Sequence, residues 1–281
     1  MSSSFDVGGP SALEIEEIGR IVIEKRTALL KKEKMTRIGY RLLSFVIIAA
    51  AWQYYGSRTM EILFSPLTKV FKDMFSMFAH DQLASALMVS VETFLIGLSV
   101  GTAIGITLGM LMGVFRNFDA LVGIYIFALY ATPMVTLVPL LTIWFGFGKM
   151  AQSLITILFV IFPVSINVYN GVRNVDKSLL EVGQSFCANR RQIWGHIVLP
   201  GSVPFIVTGV SQGVAMGLVG MFIAEISTAL SGLGAVLTAQ SNAYHTSKVL
   251  GIILIIMVLG VVFRTLMRLV ERKVAPWFGQ P

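Results

Sequence analysis

The sequence predicts an all-α integral membrane protein with about six transmembrane helices. Hydrophobic residues make up 55% of the 281-residue chain and charged residues only 13%, against about 25% charged residues in ordinary soluble domains. The charges are clustered, and a helix needs roughly 20 apolar residues to cross a bilayer. We therefore predict spans between the charge clusters, at 38–56, 83–115, 121–145, 150–172, 203–225 and 247–269.

Residues 1–37 precede the first predicted span. Residues 11–34 place apolar side chains at mostly helical spacing among many charges, which predicts an amphipathic cytoplasmic helix that lies on the membrane or on a partner. An anchor that sets the topology is favoured over a dedicated regulatory role. The scattered charges leave no apolar run typical of a signal peptide, so we do not expect a cleaved leader.

The basic residues predict the orientation of the spans. If the N-terminus is cytoplasmic, 17 of the 22 Lys and Arg residues fall on the cytoplasmic side. The outer side keeps only Arg58, Lys69, Lys72, Lys149 and Lys248. This distribution satisfies the positive-inside rule, so we expect both termini, including the tail 274–281, to be cytoplasmic. The net charge of +7 is then a topology signal, and it gives little support to nucleic-acid binding.

Glycine recurs at every fourth position in two of the spans. The second span carries Gly97, Gly101, Gly105, Gly109 and Gly113, and the fifth carries Gly209, Gly213 and Gly217. Small residues four apart share one helix face and let another helix backbone approach closely. Tight helix packing is the favoured role, and a smooth face that allows rocking between two states is the alternative.

Prolines interrupt the third and fourth spans. Pro133, Pro139 and Pro163 each remove a helix hydrogen bond and tend to kink the segment. The polar residues that accompany them either bond the freed carbonyls or face a water-filled path. These residues are Thr132, Thr136, Thr142 and Asn167.

Titratable residues are scarce inside the spans. Glu92 and Glu225 lie near the outer ends of the second and fifth spans, where we expect both to reach interfacial water. Glu225 precedes a Gly-rich outer segment and is a candidate for setting the geometry of an outer gate. No paired acids occur at mid-membrane, which argues against an ion-driven pump. One cysteine and three separated histidines predict no disulfide framework, metal site or catalytic centre.

The polar loop at 173–202 predicts two short helices. Asp176 suits the N-cap of a helix over Lys177–Phe186, and Asn189 suits the cap of a second helix over Arg190–Val198, which we expect Pro200 to end. The first helix offers an acid, Glu181, and four apolar side chains, Leu179, Leu180, Val182 and Phe186. Such a helix fits a groove on another protein and equally fits an interfacial helix without a partner.

This loop resembles the EAA loop of the permease subunits of bacterial ATP-binding-cassette importers. The pattern of that loop is Glu-Ala-Ala, three residues, Gly, nine residues and Ile-x-Leu-Pro. The matching positions here are Glu181-Val182-Gly183, Cys187 and Ile197-Val198-Leu199-Pro200, and the intervals of three and nine residues are both kept. The segments VPLLTIWFGFGK at 138–149, FPVSINVYNGVRNVDKSLLE at 162–181 and AEISTALSGLGAVL at 224–237 are similar to nitrate/sulfonate/bicarbonate (taurine-type) permeases. The resemblance covers roughly residues 83–273.

The resemblance implies a type I ABC importer permease (MetI-like) architecture in the inner membrane, with a transmembrane permease domain at 38–273. It also implies a second permease subunit, two cytoplasmic ATPases that hold ATP and Mg, and an external solute-binding protein. This chain has no GxxxxGK[ST] loop and no expected cofactor or enzymatic activity. The implied ATPase-coupling residues are Asp176, Leu179, Leu180, Glu181, Gly183, Phe186, Cys187, Leu199 and Pro200.

The same resemblance implies a small anion as substrate: nitrate, a sulfonate, bicarbonate or a small organic acid. The candidate residues of the path are Thr132, Thr136, Asn167, Gln212, Met216 and Glu225. The alternative is a secondary transporter or channel that is not coupled to ATP.

Cys187 is a departure from the family pattern because the family has glycine there. If the backbone at that position is in the left-handed region, a cysteine there raises the conformational free energy by about 1 kcal/mol relative to glycine. Two outcomes are therefore open: the turn is reshaped, or Cys187 sits in an ordinary conformation.

Overall fold

A computed structural model describes residues 12–79 and 82–274 of the protein. Every regular element within these ranges is a helix, as expected for a chain whose buried apolar runs must satisfy their own backbone hydrogen bonds in lipid. The chain divides into two compact units, Met1–Thr59 and Met60–Pro281.

The first unit is built on one helix, α1 (Ala12–Arg58), whose membrane-spanning part runs from Lys31 to Arg58. The predicted boundary between residues 37 and 38 therefore falls within a continuous helix. The predicted amphipathic face at 11–34 involves side chains that mostly lie outside the described residues. At the end of α1, the Arg58 guanidinium stacks 5.3 Å from the centre of the Tyr54 ring.

The second unit contains nine further helices within the described ranges. They are α2 (Leu67–Ala79), α3 (Gln82–Val114), α4 (Arg116–Ala131), α5 (Met134–Phe145), α6 (Lys149–Arg173), α7 (Lys177–Ser185), α8 (Arg190–Thr228), α9 (Gly232–Asn242) and α10 (Thr246–Val274). Helices α3, α6, α8 and α10 are long and apolar enough to cross a membrane, as is α1, and the bent pair α4–α5 makes a sixth candidate. The predicted fold class is confirmed.

The predicted third span, 121–145, is broken near Pro133, where the sequence predicts a kink: α4 and α5 meet at an angle of 99°. Thr132 is extended, with φ −78° and ψ 138°, since the residue before a proline avoids the helical region. Pro133 then occupies the N-cap position just before α5. The segment is a broken span or a re-entrant loop.

Two helices, α2 and α9, were not predicted as separate elements. Helix α2 carries Lys69, Lys72 and Asp73, which interrupt the apolar run. Helix α9 starts at Gly232 in a Gly-rich segment that is typical of a loop. Both are held by a shared core in which α2, α3, α9 and α10 meet, formed by Met77, Leu83, Ala86, Leu233 and Ile252.

Helix α6 is packed against the glycine face of α3. A Cβ atom at Gly101 would lie 2.7 Å from the Val160 Cβ, and one at Gly105 would lie 2.8 Å from the Val164 Cβ. The pairs continue at the same four-residue interval in both helices: Gly97 faces Thr156, Gly109 faces Val168, and Gly113 faces Val172. The β-branched ridge of α6 therefore fills the glycine groove of α3.

A second glycine groove, on α8, holds another side of α6. Cβ atoms at Gly213 and Gly217 would each lie within 2.9 Å of a valine side chain of α6, Val164 and Val160 respectively. Gly209 lies against Asn167 in the same way. Val160 and Val164 thus meet glycines from both neighbours and have no solvent exposure. This interlocked packing matches the favoured role of the glycines.

We predict that Gly109→Ala destabilises the protein by about 1–3 kcal/mol, because the added methyl group overpacks a close helix contact. It would meet backbone atoms, the Ser165 carbonyl oxygen and the Tyr169 nitrogen, which cannot rotate away. The measurement is the Tm of the purified protein in detergent. Gly260→Ala in α10 is the matched control, since nothing lies within 4 Å of its added Cβ; equal Tm values for the two variants would contradict the prediction.

Candidate functional site: the coupling loop and the polar path

Helix α7 begins at a capped turn, as the sequence predicts. The Asp176 Oδ1 accepts a hydrogen bond of 2.9 Å from the Ser178 N–H. This bond to the backbone lowers the pKa of the Asp176 carboxyl, because it favours the charged form. The cap is therefore present above the ordinary carboxyl pKa and is lost as the pH falls through the lowered value. The helix ends at Ser185, one residue earlier than predicted.

One face of α7 presents apolar side chains to solvent. Leu179 is 52% exposed, Val182 53% and Phe186 82%. At 100° per residue, these three positions fall within an arc of about 60°. Glu181 is also exposed, about 130° around the helix from the centre of this arc, while Leu180 is half-buried. We call the three exposed residues Leu179, Val182 and Phe186 the docking face.

The side of α7 next to this face packs on α8. Gly183 is buried, and a Cβ atom there would lie 2.7 Å from the Ile197 Cδ1. That atom is the mobile end of a side chain, so the alanine of the family pattern would fit after a small movement. The glycine here brings α7 closer to α8.

Cys187 has φ +53° and lies in the left-handed region. The turn follows the Schellman pattern, because the Cys187 N–H bonds the Gln184 carbonyl at 2.9 Å and the Ala188 N–H bonds the Gly183 carbonyl at 3.0 Å. Of the two outcomes left open by the sequence, neither holds: the turn keeps its usual shape and the cysteine adopts the strained conformation.

The second loop helix begins as predicted and does not end where predicted. Asn189 and Gln192 form a capping box through bonds of 2.8 and 2.9 Å. The helix then continues through Leu199 and Pro200 into the fifth span. A π-turn at Trp194–Val198 precedes Pro200. Since its hydrogen-bond register is wider, the first turn after it accommodates a residue without an N–H.

The path candidates fall into two groups. The Asn167 Nδ2 donates to the Gln212 Oε1 at 2.8 Å, and Met216 lies one turn after Gln212 and is 41% exposed. These three residues share an exposed face where α6 meets α8. The Thr132 hydroxyl donates to the Ala128 carbonyl and the Thr136 hydroxyl to the Pro133 carbonyl, so both are exposed hydroxyls bound to their own segment.

Glu225 does not reach interfacial water, and that expectation is wrong. The residue is completely buried, and its Oε2 accepts a 2.9 Å hydrogen bond from the Gly234 N–H in the first turn of α9. Ser90 accepts from the adjacent Leu233 N–H at 2.9 Å. Gly232, with φ +87°, leaves room for the carboxylate, which a Cβ atom there would strike. Glu225 thus caps a helix rather than lining an open path.

Three further polar residues in this region were missed by the sequence analysis. The Gln152 Nε2 donates to the Thr228 hydroxyl at 2.7 Å, and the Ser231 hydroxyl donates to the Gln152 Oε1 at 3.3 Å. Gln152 and Thr228 are buried. The Ser-Gly-Leu-Gly run at 231–234 could have indicated a capped helix start, because serine is a common residue before the first turn.

Charged residues are paired at both ends of the second unit. Lys149 donates to the Glu92 carboxylate at 2.8 Å at one end. At the other end, the Tyr169 hydroxyl donates to the Asp119 carboxylate at 3.0 Å, and the Arg173 guanidinium lies over the Tyr169 ring. Residues that the predicted topology assigns to one side of the membrane therefore lie at one end of the structure.

Residues 101–276 match the sequence model of a known protein family, the binding-protein-dependent transport system inner membrane component. This match covers more than half of the chain. The chain belongs to this family. It is the membrane subunit of an ABC importer of the nitrate/sulfonate/taurine type, a multi-pass inner-membrane protein, and its relatives are transport permeases rather than enzymes.

Curated relatives align over most of the permease. A putative aliphatic sulfonates transport permease protein of Bacillus subtilis is 28% identical over 272 residues, covering 94% of this chain and 98% of the relative. Its counterpart in Escherichia coli is 30% identical and covers 82% and 88% respectively. A taurine transport system permease protein of Escherichia coli is 30% identical over 53% of this chain and 54% of its own.

A solved structure supports the fold. The chain described as an amino acid ABC transporter with histidines matches with a TM-score of 0.60 at 18% identity, covering 71% of the permease and 98% of that chain. This similarity confirms the type I importer architecture that the resemblance implies.

We predict that Cys187→Gly stabilises the coupling loop by about 1 kcal/mol, because glycine adopts φ +53° without a steric cost. Hydrogen–deuterium exchange of residues 183–190 should slow about five-fold. Ala188→Gly, one residue later and outside the left-handed region, is the control and should not slow exchange. Unchanged or faster exchange in Cys187→Gly would contradict the geometry of this turn.

Proposed function

We propose that the permease forms the translocation path for a small anion of the aliphatic sulfonate class, and that cytoplasmic ATPases drive it through the docking face of α7. The observation that carries this proposal is the docking face itself. Three large apolar side chains stand exposed on one face of a short, capped helix, which also exposes an acid elsewhere on its surface. Exposed apolar anchors on one helix face suit a groove on a soluble partner.

The structure of the loop suggests how movement at α7 reaches the membrane. Helix α7 contacts α8 through Gly183 and Ile197, and the tight turn at Cys187 joins the two helices. Helix α8 then runs for 39 residues without interruption, about 58 Å at 1.5 Å per residue. It carries Gln212 and Met216. A displacement of the docking face is therefore transmitted to the path by one continuous element.

The path candidates suit weak binding of an anion. Gln212 is exposed and uses its Oε1 to accept from Asn167, which leaves its Nε2 to donate to an anion. The Thr132 and Thr136 hydroxyls are exposed and would donate to an anion by exchanging their present bonds to backbone carbonyls. Neutral donors partly replace the water molecules that hydrate an anion. They bind it less tightly than a fixed positive charge would. Such a path releases its cargo readily and leaves selection to an external solute-binding protein.

The proposed assembly contains a second permease copy, two ATPases that bind ATP and Mg, and a solute-binding protein outside the membrane. The positive-inside distribution, with 17 of 22 basic residues on the coupling-loop side, supports cytoplasmic termini. The sulfonate class is supported by the relatives named for aliphatic sulfonates and taurine. A relative named for formylaminopyrimidine is 24% identical, so the family fold also serves other cargo.

The function is tested by reconstituting the permease with its partner ATPase and solute-binding protein. We predict uptake of labelled taurine, or of another short alkanesulfonate, that requires both ATP and the binding protein. Phe186→Ala and Glu181→Lys should each reduce uptake and ATPase stimulation at least ten-fold, because they remove an anchor and reverse a charge on the docking helix. Gln184→Ala, which is exposed on α7 but lies opposite the docking face, should behave as wild type. Full uptake by both docking variants would refute the assignment.

We also predict that the path opens and closes with the nucleotide state. Single cysteines at Gln212 and Met216, in a Cys187→Gly background, should react with a water-soluble thiol reagent at rates that differ between the nucleotide-free and ATP-bound complexes. Val258→Cys, on an exposed apolar face of α10, should stay unreactive in both states. If the cysteines at positions 212 and 216 fail to react in every nucleotide state, the path must lie on another face of the helices.

A further inference from the structure

A polar concavity lies at the end of the second unit opposite the coupling loop. It has a volume of about 210 Å³, and it is lined by the segment before α2, by α2 itself, by the turn between α9 and α10 and by the first turn of α10. Its walls are tied together, since the Thr246 hydroxyl donates to the Ile62 carbonyl and the Ser247 hydroxyl donates to the Asp73 carboxylate. Lys69 forms an ion pair with Glu61 across the same wall.

Tyr244 stands at the rim of this concavity in a strained conformation. Its φ is +58°, although it closes the end of α9 in a position where glycine is usual. The Tyr244 N–H bonds the Ser241 carbonyl and the His245 N–H bonds the Gln240 carbonyl, both at 3.0 Å, which completes a Schellman turn. A left-handed tyrosine costs about 1 kcal/mol more than glycine.

The tyrosine ring does not offset this cost by burial in the permease, because the residue is 73% exposed. A strained residue that contributes little to its own fold points to a use outside it. Exposed tyrosine is also among the residues that most often dominate the binding energy of protein interfaces.

The lining of the concavity discriminates among possible occupants. Charged side chains from both sides, including Lys69, Asp73 and Lys248, disfavour a lipid tail. The two carboxylates, Glu61 and Asp73, disfavour a small anion, and each already bonds a neighbouring group. A polar, pre-formed hollow with an exposed aromatic rim matches the surface that a folded protein contacts.

We propose that Tyr244 and this concavity form the docking surface for the extracytoplasmic solute-binding protein. The inference rests on the proposed function. The concavity lies at the end of the second unit where α10 begins, which also carries Lys149 and Lys248. The coupling loop lies at the other end, so the concavity is on the outer side of the membrane. The ring of Tyr244 inserts into the partner, while the fixed charges around it set the orientation of the complex.

The test measures ATPase activity of the reconstituted complex as the purified solute-binding protein is titrated. Tyr244→Gly removes the ring and relieves the strained backbone, so its Tm should equal or exceed that of wild type. Its basal ATPase activity should be unchanged, and the half-saturating concentration of the binding protein should rise at least ten-fold. Ala229→Gly is the matched control, because Ala229 is also left-handed, with φ +52°, and ends α8 on the same side; it should keep the wild-type titration.

A photo-crosslinking phenylalanine analogue at position 244 gives an independent measurement. It should link to the binding protein, and the same analogue at Phe75, exposed on α2, should not. A wild-type titration curve for Tyr244→Gly, or a crosslink from position 75 alone, would overturn the docking surface while leaving the proposed function intact. Failure of the binding protein to stimulate wild type would instead refute the proposed function.

Discussion

The interaction on which the rest of the structure depends is the contact of α6 with glycine on two sides. Lipid offers no hydrophobic drive for helix association, so helices in a membrane gain stability from close packing. The valines of α6 reach that packing because α3 and α8 each present a glycine groove at the same four-residue interval. With α6 fixed, Asn167 meets Gln212, and α8 receives its position relative to the coupling loop.

The sequence predicted those elements whose physical signal is local. Apolar length located the long spans, and glycine spacing identified the packing faces of α3 and α8. Asp176 and Asn189 identified the two caps of the coupling loop, because a cap depends on side chains within a few residues. The family resemblance added the coupling role, which no periodicity could have supplied.

The features that were missed depend on contacts distant in the chain. Glu225 was expected near water, yet a helix that starts seven residues later covers it, and Ser90, from another span, completes the cap. The bend between α4 and α5 also required tertiary structure, since a proline in a span can kink the helix slightly or break it. Pro200 was expected to end a helix, and only the π-turn before it explains why the helix continues.

The packing of α6 between two glycine faces has a consequence for the order in which the chain is synthesised. Helix α3 precedes α6 in the chain, whereas the glycines of α8 follow it by more than thirty residues, beyond the whole coupling loop. When α6 first reaches the membrane, α3 is already there, whereas the glycines of α8 have still to follow. The core is therefore completed only after the coupling loop has been made, so a nascent chain that stops before Gly209 packs its central helix on the α3 side alone.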